Sequence, residues 1–173
     1  MKRWWRRLIG VGDLPAEFAG TLDREEKVLA ACGSGSGAVM ATSMGLWLPD
    51  SSRVGWHLIS KATWGDGVLT VVVAQETGTA GDAVLLSDQP PRRVRLERPG
   101  RLPEVVRRRV TGSIRSSHRH ELPGGVAWFV QRRVAGQDGI VLQVRADPGV
   151  DPDVVAAIAS RVSDRLPRHH TDR

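Results

Sequence analysis

From residue 28 to residue 75 the apolar positions alternate with polar ones or gather in short runs, and clusters of Gly, Pro, Asp and Ser separate them. That pattern predicts strands and turns rather than helices. Strands are expected over 28–32, 38–42, 45–48, 53–59, 61–64 and 68–75. The alternation is clearest at Val54, Trp56 and Leu58, which a strand places on one face, with His57 pointing away from them into solvent. Asp66-Gly67 is a favoured pair for a tight hairpin turn. Gly33-Ser34-Gly35-Ser36-Gly37 is expected to be a flexible hairpin loop. It lacks the Gly-Lys-Ser/Thr of a phosphate cradle and joins strand to strand. Three of the six tryptophans, Trp47, Trp56 and Trp64, fall within 38–64, and the fold is expected to be organised around that stretch.

Beyond residue 75 the pattern changes twice. Residues 76–91 are rich in Gly, Thr, Asp and Pro and predict a long loop with a short strand at 83–86. In the strand expected over 92–97, Arg93 and Arg95 alternate with Val94 and Leu96. Leu102-Pro103-Glu104 then opens a helix that ends near 112 or 113, with Leu102, Val105, Val106, Val110 and Ile114 as its apolar stripe. Three more strands are expected over 118–122, 126–134 and 140–146. Asp151-Pro152-Asp153 starts a second helix, whose buried stripe is Val154, Val155, Ile158, Val162 and Leu166. At the other end, Asp13 and Pro15 predict a short helix to residue 22 that buries Leu14, Phe18 and Leu22, followed by Glu25, Glu26 and Lys27 as a polar lead into the first strand. The expected fold class is α+β and mostly β. It divides into a basic segment and short helix over 1–24, a barrel-like unit over 25–115, a three-strand and helix unit over 116–167 packed on it, and a polar tail over 168–173.

Seven short strands and then one amphipathic helix is the order of a pleckstrin-homology-like split barrel, here over about 28–114. The segments ATSMGLWLPD, RVGWHLISKATW and VLTVVVA resemble the bacterial pleckstrin-homology-like domains of small uncharacterised actinobacterial proteins. In that family an A-T-x-x-G-L strand pair also precedes an R-x-x-W strand. The resemblance implies a binding or scaffolding module rather than an enzyme. It does not imply phosphoinositide recognition, because the loop between the first two strands holds only Gly and Ser. Residues 116–166 are not covered by it.

Charge adds a second theme. Among 173 residues, 25 Lys and Arg stand against 19 Asp and Glu, a net charge of +6, and Lys2, Lys27 and Lys61 are the only lysines. A GC-rich genome also favours arginine over lysine, so codon usage contributes to this excess. The stretch from Arg92 to Arg119 is nevertheless dense: ten arginines against Glu97 and Glu104 give it +8. Arg92, Arg93, Arg95, Arg107, Arg108, Arg109 and Arg115 are the candidate partner-binding residues. An acidic protein is the expected partner. RNA or DNA is the alternative for the same surface, although this stretch lacks the aromatic residues that stack on bases. Arg3, Trp4, Trp5, Arg6 and Arg7 form a second basic cluster, a candidate membrane-surface or partner anchor whose alternative is a frayed terminus.

Little else points to chemistry. Cys32 is the only cysteine, so no internal disulfide is possible; a reducing, cytoplasmic location is expected. The longest apolar run, 68–74, is far too short to span a bilayer. Arg6-Arg7 is not followed by the apolar stretch of a twin-arginine signal. His118 and His120 would share one strand face and are candidate zinc ligands, but no third ligand is evident, and a polar edge strand is the competing reading. No nucleophile elbow, zinc-protease motif, dinucleotide fingerprint or paired carboxylates are present. A non-catalytic module is expected, with no cofactor and no small-molecule substrate implied.

Overall fold

A computed structural model describes residues 14–166. The expected anchor residues Arg3, Trp4, Trp5, Arg6 and Arg7, the helix cap Asp13, and His169 and His170 lie outside the described residues. The elements in chain order are β1 (Val28–Ser34), β2 (Gly37–Thr42), β3 (Gly45–Trp47), β4 (Arg53–Gly55), β5 (Ile59–Gly65), β6 (Val68–Ala80), β7 (Ala83–Asp88), β8 (Arg92–Glu97), α1 (Leu102–Ser113), β9 (Ile114–Leu122), β10 (Gly125–Arg133), β11 (Ile140–Ala146) and α2 (Pro152–Arg165). The protein is α+β and mostly β.

Two compact units divide the chain, each from two segments: 14–73 with 90–111, and 74–89 with 112–166. Residues 74–89 thus belong with the second unit, whereas the sequence placed them inside the barrel-like segment. The reason is pairing. β6 runs on to Ala80 and turns at Gly81-Asp82 into β7, so the expected long loop is a hairpin, and β7 then pairs in parallel with β11.

In the first unit the strands are hydrogen-bonded in the order β4-β3-β2-β1-β8-β6-β5, every pair antiparallel. Among the described residues no ladder joins β4 to β5, so this sheet is open. Val39, Met40, Leu46, Ile59, Leu69 and Val71 are all almost fully buried, Val39 and Met40 on opposite faces of β2. Leu102, Val105, Val106 and Val110 of α1 are buried as the helical spacing predicts. Ile114 is not: it is the first residue of β9 and is exposed. The β5–β6 turn places Asp66 and Gly67 both at positive φ, the conformation that favours Asp-Gly there. The Gly-Ser segment is tighter than a flexible loop. Ser34 pairs with Gly37 across a two-residue turn, and the Ser34 hydroxyl donates to the Gly37 carbonyl at 2.8 Å.

Strand four ends early. Trp56–Leu58 form a single 3-10 turn, which takes Trp56 out of alternation. The Trp56 ring is buried, and its indole N–H donates to the Thr42 carbonyl at 3.0 Å. His57 is half-buried in this turn, with its ring against Gly55, instead of pointing into solvent from a strand.

The expected helix over 13–22 does not form in its described part. Phe18 N–H closes a turn onto the Pro15 carbonyl, and the rest of that segment is irregular. Tertiary contacts hold this conformation. Phe18 meets the Trp47 ring edge-on at 5.1 Å between centroids, and Gly20 lies so close that a Cβ there would come within 2.6 Å of the Trp47 ring. Glu26 completes the attachment. It is buried, not part of a solvated lead. Its carboxylate accepts hydrogen bonds from the Thr42 hydroxyl (2.5 Å), the Trp47 indole N–H (2.9 Å), the Asp23 N–H (3.1 Å) and the Arg53 guanidinium (2.6 Å). Arg53 also pairs with Asp23 at 2.8 Å and lies over the Trp47 ring.

The second unit is the end of β6 with β7, β11, β10 and β9, in that order, and α2. Its core joins Ala127, Phe129, Leu142 and Val144 of the sheet to Val155 and Ala159 of α2. Asp151 caps α2 by accepting from the Asp153 N–H, and Pro152 fills the first turn, as expected. The Ser163 hydroxyl accepts from the Asp82 N–H and so ties the β6–β7 turn to α2.

Burial pushes the Glu26 carboxyl up, but the hydrogen bonds from Thr42, Trp47 and Asp23 and the Arg53 charge outweigh it and hold it below the ordinary value. A carboxyl with a lowered folded pKa stabilises fully above its unfolded pKa of about 4.3, and that contribution is lost as pH falls through the folded value. Glu26→Gln should therefore lower stability by about 2 kcal/mol at pH 7. In urea unfolding, its gap to the unmodified protein should narrow below about pH 4. A gap that is constant with pH would show that the charge on Glu26 is not what matters.

Candidate binding surface

The register of β5, β6 and β8 decides which arginines share a face. Arg93 pairs with Thr70, and Thr70 with Thr63; Arg95 pairs with Val68, and Val68 with Gly65. The intervening row, Val94, Leu69 and Trp64, points to the other face, where Val94 and Leu69 are buried. The outward face of these three strands thus carries Arg93, Arg95, Thr63, Thr70 and, diagonally from Thr70, Lys61. Arg93, Arg95, Lys61 and Thr63 are exposed. Glu97 is the acid on the same face of β8. Arg95 reaches back over the hairpin turn, its guanidinium 3.4 Å from the Asp66 carbonyl.

The other candidate arginines are distributed differently. Arg92 lies at the start of β8, exposed, with its guanidinium 3.6 Å from the Asp50 carboxylate. Arg107, Arg108 and Arg109 are all exposed on α1, although Arg109 follows Val105 and Val106 at helical spacing. Arg108 pairs with Glu104 one turn earlier at 2.6 Å; Arg107 and Arg109 make no ion pair among the described residues. Arg115 belongs to the second unit. There it borders a cleft of about 620 Å³ that also takes in Gln131, Arg133, Asp138, Ile140 and Leu166. The arginine-dense stretch is therefore divided between the two units; in the first, β8 and α1 hold Arg92, Arg93, Arg95, Arg107, Arg108 and Arg109, with Arg98 and Arg101 between them.

Lys61, Thr63 and Thr70 are members of this face that the sequence did not single out. Each looks like an ordinary strand residue. Only the cross-strand register, which no local pattern encodes, sets them beside Arg93 and Arg95.

His118 and His120 do share one face of β9, opposite Phe129 and Ala127 of β10, and both are exposed. The His120 ring packs edge-on against Phe129, 4.9 Å between centroids. Among the described residues no group of three or more His, Cys, Asp or Glu side chains could hold a metal ion. No helix among them is long and apolar enough to cross a membrane. Arg132, on β10, is buried; burial first and the Arg145 charge second bring it down to about 10, so it remains a cation at neutral pH. Comparison with protein-family models, curated proteins and solved structures finds no match to this chain.

Cys32 faces inward from β1 and is buried. Burial, with the Glu97 charge adding to it, pushes the thiol up to about 11. At pH 8 the thiolate fraction is then roughly a hundredfold below that of a free cysteine. A disulfide reagent such as Ellman's should modify the native protein about a hundredfold more slowly than the urea-unfolded chain. Equal rates would place Cys32 at an accessible, activated site.

Proposed function

We propose that the protein is a non-catalytic interaction module that holds an acidic protein partner on the outward face of β5, β6 and β8. The carrying observation is the composition of that face: Lys61, Arg93 and Arg95 beside the hydroxyls of Thr63 and Thr70, with Glu97 as the acid on β8. Guanidinium forks bind carboxylates in two-point geometry, and threonine hydroxyls add neutral donors between them. No aromatic ring is among these residues, and stacking on bases is what single-stranded nucleic acid binding needs. That favours a protein over RNA or DNA. Arg107 and Arg109, exposed and in no ion pair among the described residues, extend the positive charge of the same unit.

The strand order supports a pleckstrin-homology-like reading of this unit. Strands β1 to β4 form one antiparallel run, β5, β6 and β8 a second, and α1 follows the last strand. On this reading the β6–β7 hairpin is an excursion between the last two strands of the motif. A scaffold of this kind serves binding, and a location in the cytoplasm suits a chain with one buried thiol.

The test is affinity purification of the tagged chain from its own host, with half the lysate nuclease-treated. A discrete acidic protein should survive nuclease and lose at least about tenfold in recovery with the double variant Arg93→Gln, Arg95→Gln, whose exposed positions leave folding unchanged. Recovery of RNA or DNA instead, with proteins lost on nuclease treatment, would replace this function with nucleic acid binding. Unchanged recovery with the double variant would move the site elsewhere.

A further inference from the structure

The sheet of the second unit runs on past the helix that covers it. Ala127, Phe129 and Val144 lie in one core with Val155 and Ala159 of α2. The same face continues at the next alternate positions, where Gln131 pairs with Leu142 and Arg133 with Ile140. α2 ends at Arg165, and Leu166 after it borders the cleft that this end of the face forms. Leu142 is buried there, and Ile140 is left exposed.

A bulge adds a second cation. Gln131 pairs with Ser116, but the next residue, Arg132, pairs with Ile114, so Arg115 is the extra residue of β9. In a regular ladder Arg115 would lie opposite Arg132, on the other face of the sheet. A bulge re-aims such a side chain, and Arg115 borders the cleft together with Gln131 and Arg133. Both arginines are exposed, and neither makes an ion pair among the described residues. The Ser116 hydroxyl donates to the Gln131 Oε1 at 3.0 Å, which leaves the amide N–H groups of Gln131 as neutral donors. Asp138 is the acid of the cleft, so two arginines against it leave the lining at +1.

We propose that this cleft binds a small carboxylate that carries an apolar chain. Guanidinium forks take a carboxylate in two-point geometry, and the Gln131 amide adds a donor beside them. Ile140, Leu142 and Leu166 offer the chain an apolar wall, which a bare anion would leave wet. The lining charge of +1 matches one carboxylate. The volume of about 620 Å³ is within the usual size of ligand sites. The cleft lies wholly in the second unit, so this site does not depend on the basic face of β5, β6 and β8.

The probe is decanoate, titrated by calorimetry into the full-length protein at neutral pH. One-to-one binding with a Kd below about 1 mM is expected. Acetate, which lacks the chain, and decanol, which lacks the charge, should each bind at least about tenfold more weakly. Arg115→Gln and Arg133→Gln should each weaken decanoate about tenfold, while Arg107→Gln, on α1, should leave it unchanged. An unaltered urea midpoint checks that each variant is folded. A second measurement needs no variant: decanoate should protect Arg115 and Arg133, but not Arg107, from the arginine reagent phenylglyoxal, read by mass spectrometry. No saturable binding, decanol bound as tightly as decanoate, or equal labelling of Arg115 and Arg133 with and without decanoate overturns the proposal.

Discussion

The first unit depends on one buried carboxylate. Glu26 draws donors from Thr42 at the end of β2, Trp47 at the end of β3 and Arg53 at the start of β4, and from the backbone of Asp23. Three consecutive strands and the segment before them therefore converge on two oxygen atoms. A buried charge of this kind is costly to strand without partners, so the arrangement is all or nothing. Thr42 shows how closely it is tied in. Its hydroxyl donates to Glu26 and accepts from the Met44 and Gly45 N–H groups, and its carbonyl takes the Trp56 indole. The β2–β3 turn and the 3-10 turn after β4 are thus fixed by the same residue.

This network also explains why local sequence patterns misjudge that part of the chain. Asp13 and Pro15 are sound helix-start residues, and Leu14, Phe18 and Leu22 have helical spacing. Yet Phe18 and Gly20 lie against the Trp47 ring, a contact with a residue far along the chain. A short helix is marginal on its own, so tertiary contacts decide. The same holds at Trp56, where strand alternation gives way to an indole hydrogen bond. Where local signals and long-range packing agree, the elements are legible: β8, β11 and α2 begin within a residue of their expected positions, and the buried stripe of α1 is the expected one up to Val110. β7 is the intermediate case. Its strand character was visible at Ala83 to Leu86, but nothing in its own residues announces that it will lie in parallel beside β11.

The candidate surface divides along the same line. Alternation placed Arg93 and Arg95 on the polar face of their strand, and helical spacing left Arg107 and Arg108 off the apolar stripe of α1. Those are one-strand and one-helix facts. That Lys61, Thr63 and Thr70 lie on the same face as Arg93 is a three-strand fact, and that Arg115 belongs to the other unit is a fact of domain connectivity. Proximity in sequence is a poor guide when a chain enters and leaves a unit twice.

The arginines of this protein lie in two distinct kinds of surroundings. Arg53 is held by Asp23 and Glu26 and covers the Trp47 ring; the Asp23 hydrogen bond first, and the Glu26 charge with it, raise its already high pKa. Its charge is consumed by the fold. Arg93, Arg107 and Arg109 are exposed and make no ion pair among the described residues. Solvated charges of one sign repel each other and add nothing to folding, so stability does not account for them. Glu26 and its partners fix β2, β3 and β4 while leaving β5, β6 and β8 free to carry charge that the fold itself does not need.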